Sequence, residues 1–190
     1  SMESDRLMGR TRMQDALPIT AGARIEAWSL PLARHRTRLA ELRPRLLVLQ
    51  FGGAVGTLDA LGAKGRAVAE RMAAALDLGL PVRSWHNQRD GMAEFAAWCA
   101  LVAGTLGKMG QDAALMALLG EMAIACGGGS SAMPHKQNPV NAEVLVAPAR
   151  YAAVLSGGMA QARVHEYERS GAAWTLEWLV LPQLVTATGA

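Results

Sequence analysis

Apolar residues recur along this chain at intervals of three and four, and almost nowhere in strict alternation. Ile25, Trp28, Leu32, Leu39 and Leu42 share one face of a helix read over about residues 21–42, because side chains three and four apart stack on one side of a helix. Thr20 stands where an N-cap hydroxyl belongs. Pro31 is expected to bend this helix and Pro44 to end it. A shorter Ala-rich amphipathic helix follows over residues 65–78, closed by Gly79 and Pro81. The long apolar segment over residues 91–119 reads as a third helix, with Asn87 or Asp90 as its cap. Residues 141–159 and 172–188 read as two more, joined by the polar connection His165-Glu166-Tyr167-Glu168-Arg169-Ser170. With no strand alternation, no internal repeat and no sustained heptads, the expected fold is all-α, an elongated helical bundle.

Composition agrees with helices. Of 190 residues 51% are hydrophobic but only 5% aromatic, so the core has to be built from Ala, Leu, Val and Met, which suits helices better than a sheet. The formal charge is +3 and the pI about 9.2, yet the cations are scattered and no basic tract with interleaved aromatics occurs. Nucleic-acid binding is not indicated, whereas a basic interior suits polycarboxylates. Cys99 and Cys126 lie in apolar helical contexts without C-x-x-C spacing, as buried free thiols of a reducing compartment would. No signal pattern opens the chain, and its longest apolar stretch, residues 95–106, is too short to cross a bilayer. A cytoplasmic protein with no membrane partner is expected. His35, His86, His135 and His165 form no metal-ligand spacing, so no metal is expected. Neither a P-loop nor a G-x-S-x-G elbow is present.

Four stretches bear candidate chemistry. In Gly127-Gly128-Gly129-Ser130-Ser131-Ala132-Met133-Pro134-His135-Lys136-Gln137-Asn138-Pro139 three glycines cannot hold a helix, and Pro139 suits the first turn of the next one. A mobile polar strap pinned to a rigid element can close over an anion or be a surface loop. Gln88-Arg89-Asp90 offers a guanidinium for two-point carboxylate binding, or an Arg–Asp pair that fixes a helix start. Glycines 52, 53 and 56, within Gln50-Phe51-Gly52-Gly53-Ala54-Val55-Gly56-Thr57, permit close backbone approach of a helix or a ligand. Arg34-His35-Arg36-Thr37-Arg38 reads as a solvated face or an intersubunit patch.

The run from Ser130 to Pro139 resembles the G-S-S-x-M-P-x-K-x-N-P signature of the fumarase/aspartase superfamily. Gly9-Arg10-Thr11-Arg12-Met13-Gln14-Asp15-Ala16-Leu17-Pro18 is similar to its G-R-T-H-x-Q-x-A-x-P block, and residues 50–57 to its glycine-rich central-helix block. Within the superfamily, residues 41–54, Trp85-His86-x-Gln88-Arg89-Asp90 and His165-Glu166-x-Glu168-Arg169-Ser170 resemble the bacterial carboxymuconate cycloisomerase branch. The resemblance implies a homotetramer with a shared helical core, active sites assembled from three subunits, and no cofactor. It implies that residues 1–190 form the central helical-bundle domain of a longer architecture whose N-terminal domain and C-terminal cap are not in this chain.

What the resemblance implies for residues follows position by position. Ser130 corresponds to the base that removes a proton α to a carboxylate. Lys136 and Asn138 would hold the enolate-like intermediate, and Thr11, Gln14, Arg89, Ser131, Met133 and Arg169 the small polycarboxylate substrate. His86 and His135 are read as orienting or loop residues. Arg12 stands where most relatives carry a histidine that pairs with the residue matching Glu143, so an Arg12–Glu143 ion pair, to be sought in the tetramer, is expected instead. Losing that acid fits lactone chemistry: a carboxylate leaving group, with a parent acid of pKa about 4, leaves without protonation, whereas an amine or hydroxide does not. Reversible lactonisation of 3-carboxy-cis,cis-muconate is therefore the expected activity. The alternatives are an adenylosuccinate/argininosuccinate-type lyase and a non-catalytic helical assembly module.

Overall fold

The computed structural model describes residues 5–125, 127–129, 131–133 and 135–190. Ser130 and Cys126, singled out above, lie outside them. The element order is β1 (Arg6–Thr11), β2 (Gln14–Thr20), α1 (Ala21–Leu46), a 3-10 segment (Asp59–Lys64), α2 (Gly65–Ala75), α3 (Asp90–Leu118), β3 (Gly128–Gly129), β4 (Gln137–Asn138), α4 (Val140–Gln161) and α5 (Gly171–Gly189). The expected helical fold is present, and the five helices lie close to their expected positions. The chain divides into two compact units, one of the residues up to Arg36 with Leu101–Arg150, the other of Thr37–Ala100 with Tyr151–Ala190.

In the first unit, the expectation of no strands needs correction. β1 and β2 form an antiparallel hairpin, with Thr11 opposite Gln14 and a register shift between Met8 and Arg10. Its turn is Arg12-Met13, both at positive φ (50° and 64°). Such turns are usually signalled by Asn or Gly, and here neither residue type is present. β2 is exposed for most of its length and successive residues of β1 are alike half-buried, so no fully buried side imposes an alternating pattern. Thr20 caps α1 as expected, its Oγ1 accepting from the Ala23 N–H at 3.0 Å. α3 and α4 pack closely where glycine leaves room: a Cβ on Gly107 would lie 2.4 Å from Ala149 Cβ, and one on Gly110 2.6 Å from the Ala142 carbonyl. His35 departs from the solvated-face reading. It is buried, and its Nε2 lies 2.9 Å from Thr105 Oγ1.

In the second unit Leu49, Ala69 and Ala73 form one buried cluster packed by Phe51, Leu58, Leu78 and Leu80, and Ala96, Cys99, Met159 and Leu184 are buried as well. α1 does not end at Pro44 but runs to Leu46. A proline in the last turn removes one backbone hydrogen bond, while buried Leu42 and the Arg45 Nη1 bond to the Glu41 carbonyl (2.8 Å) hold that turn in place. α2 stops before Gly79. Asp77 takes the left-handed conformation (φ 52°), and Leu78 N–H reaches the Ala73 carbonyl at 2.9 Å, a Schellman closure with Asp in the position glycine usually fills. The block likened to a central helix, residues 50–57, is loop rather than helix, with Gly53 and Gly56 at φ 70° and 88°. Buried Ser170 caps α5, its hydroxyl accepting from Ala173 N–H at 3.1 Å.

Candidate active site

In the first unit the hairpin tip and the signature loop present polar groups to solvent. Thr11, Arg12, Gln14 and Met13 are all exposed at the tip. The tip is held from behind by Arg10, whose Nη2 and Nε donate to Glu121 Oε1 at 2.7 and 3.2 Å and whose Nη1 pairs with Asp15. This bonding, first of all to Glu121, raises the guanidinium pKa further. The cleft beside it, about 580 Å³, is lined by the cations Arg10, Arg12, Arg24 and Lys108 and by the anions Asp112 and Glu121. Trp28 Nε1 donates to Asp112 Oδ2 at 2.7 Å, and Lys108 pairs with the same carboxylate.

The signature loop is pinned at its base. Gly128 pairs with Asn138 and Gly129 with Gln137 in a short antiparallel ladder. Gly127 has to lack a side chain, since a Cβ there would sit 2.6 Å from the Asn138 carbonyl. Beyond the ladder Ser131, Met133, His135 and Lys136 are exposed, and Lys136 N–H bonds the Met133 carbonyl at 2.9 Å. Asn138 is half-buried at the foot of α4. Pro139 sits one position earlier than expected, its carbonyl accepting from Ala142 and Glu143 N–H at 2.9 and 3.0 Å. Glu143 is exposed in the first turn of α4. Among the described residues of one chain, Arg12 and Glu143 form no ion pair with each other.

The second unit gathers a buried polar cluster. Arg89 does not pair with neighbouring Asp90. Its Nε donates to Glu177 Oε2 at 2.9 Å and its Nη2 to Glu177 Oε1, with the two side chains 9% and 6% exposed. Its guanidinium also lies over the Trp85 ring at 4.9 Å. Asn87 does not cap α3 either; its side-chain amide donates to the Tyr167 carbonyl. His86 is buried, bonded to Ser84 Oγ through Nδ1 and 2.8 Å from Arg169 Nη2 through Nε2. Arg169 Nη2 also donates to the Gly53 carbonyl at 2.8 Å. The close approach that glycines 52 and 53 permit is thus by the residue 84–86 segment and by Arg169, not by a helix; a Cβ on Gly52 would sit 2.4 Å from Ser84 Oγ. His165, from the same segment as Arg169, buries both ring nitrogens with no partner among the described residues. Gln50, Ser84, Trp174 and Glu177 were not singled out individually from the sequence. Only Gln50 fell inside a block already of interest.

The profile of a family described as lyase matches residues 5–152. The chain belongs to this lyase family. It is 50% identical over 183 residues to the 3-carboxy-cis,cis-muconate cycloisomerase of Pseudomonas aeruginosa, covering 94% of this chain and 40% of that protein. Among solved structures it matches the 3-carboxy-cis,cis-muconate lactonizing enzyme from Pseudomonas putida at TM-score 0.86 and 46% identity, covering 96% of this chain and 41% of the other. The corresponding cycloisomerase from Acinetobacter calcoaceticus matches at TM-score 0.85 and 35% identity, over 96% and 41%. The lyase chain therefore spans about two fifths of the length of these relatives. The superfamily expected from the signature is the one found, and its helical-bundle architecture with it. No helix among the described residues is long and apolar enough to cross a membrane.

Proposed function

We propose that the protein interconverts 3-carboxy-cis,cis-muconate and its carboxymuconolactone, within protocatechuate catabolism. The observation that carries this reading is the 50% identity, over 94% of the chain, to a relative of that name. Arg12 in place of the usual histidine supports it, since expelling a carboxylate from the lactone needs no protonated leaving group.

In the ring-opening direction Ser130 removes the proton α to a carboxylate, and in the closing direction it returns that proton to carbon. A serine hydroxyl is a weak base unless its alkoxide is stabilised. Lys136 and loop backbone N–H groups supply that stabilisation and, with Asn138, hold the charge that develops on the enolate-like intermediate. Thr11, Gln14, Ser131, Met133 and Arg169 contact the substrate. Arg89, its fork closed by Glu177, sets geometry behind the site instead of gripping a substrate carboxylate. Arg12 and Glu143 pair across subunits of a homotetramer in the cytoplasm, and three subunits complete each site.

Incubation with 3-carboxy-cis,cis-muconate should deplete the diene absorbance and form the lactone, and Ser130→Ala should abolish both. Release of fumarate from succinyl-amine substrates without any lactonisation would replace this reading with an elimination of the adenylosuccinate or argininosuccinate type. A protein that forms tetramers but turns over neither would be an assembly module.

A further inference from the structure

The polar cluster around His86 has only one consistent arrangement of protons. Arginine has donors and no acceptor, so the His86 Nε2 that lies 2.8 Å from Arg169 Nη2 has to present its lone pair. The ring is then neutral and protonated at Nδ1, which donates to Ser84 Oγ. The same oxygen accepts from Gln50 Nε2 at 3.1 Å. Trp85 N–H, donating to Gln50 Oε1 at 3.1 Å, decides which way that amide faces. Backbone, amide, hydroxyl and imidazole thus fix one another in series.

At the far end of the series is Arg169. Both hydrogens of its Nη2 are engaged, one by His86 and one by the Gly53 carbonyl. Its guanidinium lies over Trp174 at 4.9 Å, and the His86 ring stacks on the same indole with centroids 6.1 Å apart. Its Nε–H and Nη1 hydrogens have no partner among the described residues, and the residue is exposed. We propose that Gln50, Ser84 and His86 are positioning residues that hold Arg169 by Nη2 and leave its Nη1 side free to bind a substrate carboxylate, and that this requires a neutral His86. The identity of the anion rests on the function proposed above; the proton arrangement does not.

Acid should undo the arrangement. Burial first, then the charges of Arg169 and Arg89, lower the His86 pKa. Arg89 reaches it from its own segment while paired to Glu177 of α5, Arg169 comes from the segment before α5, and the Gly52–Gly53 loop brings no charge. A proton on Nε2 would set donor against donor and cation against cation, and Arg169 would lose its anchor.

Two measurements test the proposal. Imidazole ¹⁵N NMR of the labelled protein should find His86 protonated at Nδ1 and bare at Nε2 near neutrality, titrating below the ordinary histidine range. In parallel, His86→Phe keeps a ring on Trp174 without an acceptor, whereas His86→Gln keeps an acceptor. The Phe variant should raise KM for 3-carboxy-cis,cis-muconate about tenfold with kcat little changed, the pattern of lost binding common to ground and transition states, and Gln should recover most of the loss. A proton on Nε2, or equal defects in the two variants, would overturn the proposal. If this substrate is not turned over at all, the function proposed above fails, and the NMR result alone decides the positioning chain.

Discussion

The hairpin tip with the signature loop and the cluster around His86 handle polar groups in opposite ways. Thr11, Arg12, Gln14, Ser131 and Lys136 are exposed, held from behind by Arg10 and by the short ladder below the loop. In the cluster, His86, Arg89 and Glu177 are withdrawn from water, and each is matched to partners within the chain. Exposed polar groups can be left to water or a ligand, whereas buried ones have to be satisfied within the chain, since an unpaired buried polar group is costly. Residue type alone does not separate the two classes. Arg89 and Arg169 are both arginines beside aromatic rings, but Arg89 has its two-point face closed by Glu177, and Arg169 keeps Nη1 open.

The contrast can be broken most severely at the buried pair. Glu177→Ala leaves Arg89 charged and unpaired inside the second unit, and should cost about 3–5 kcal/mol in denaturant unfolding. Lys136→Ala, in the exposed loop, should leave the unfolding midpoint nearly unchanged while depressing turnover. If the two variants are equally destabilised, the division into positioned and presented groups is wrong. Gly52→Ala should come next. Its new Cβ has to push aside Ser84 and His86, an overpacking effect of about 1–3 kcal/mol, with a rise in KM like that of the His86→Phe variant.

Ser170→Ala removes the hydroxyl that caps α5 directly after Arg169. A melting curve should show a loss of about 1 kcal/mol. The smallest effect belongs to the exposed pair of Arg45 and Glu94. The Arg45 hydrogen bonds lower the Glu94 pKa, so the stability they add is present above the ordinary carboxylate range and lost as pH falls through the lowered value. Arg45→Ala should flatten that part of the stability–pH curve and do little at neutrality, because solvent screens the pair. A large neutral-pH effect would mean that exposed and buried ion pairs in this unit are equivalent.

Much of this was legible before folding. The five helices follow from apolar spacing, because a helix that buries one face must repeat every three or four residues. The signature loop showed itself through glycines and a proline whose backbone demands are local. The hairpin did not, since its turn uses Arg12 and Met13 rather than the usual glycine or asparagine. The end of α2 falls short of Gly79 for a similar reason: Asp77 supplies the left-handed residue that glycine usually provides. Ser84 and Glu177 left no local trace. One is a serine in a loop, meaningful only once Gln50, 34 residues away, meets it beside His86, and the other is an acid in an apolar helix whose partner Arg89 lies 88 residues away.

The sequence by itself determined the helical class, the family and the inventory of chemically active groups, because spacing and motif are properties of neighbours along the chain. Only the tertiary structure decided that Arg89 is paired with Glu177, that His35 is buried, and that His86 is held between a serine and an arginine. Those outcomes depend on which distant groups share a low-dielectric space, where each polar atom must find a partner.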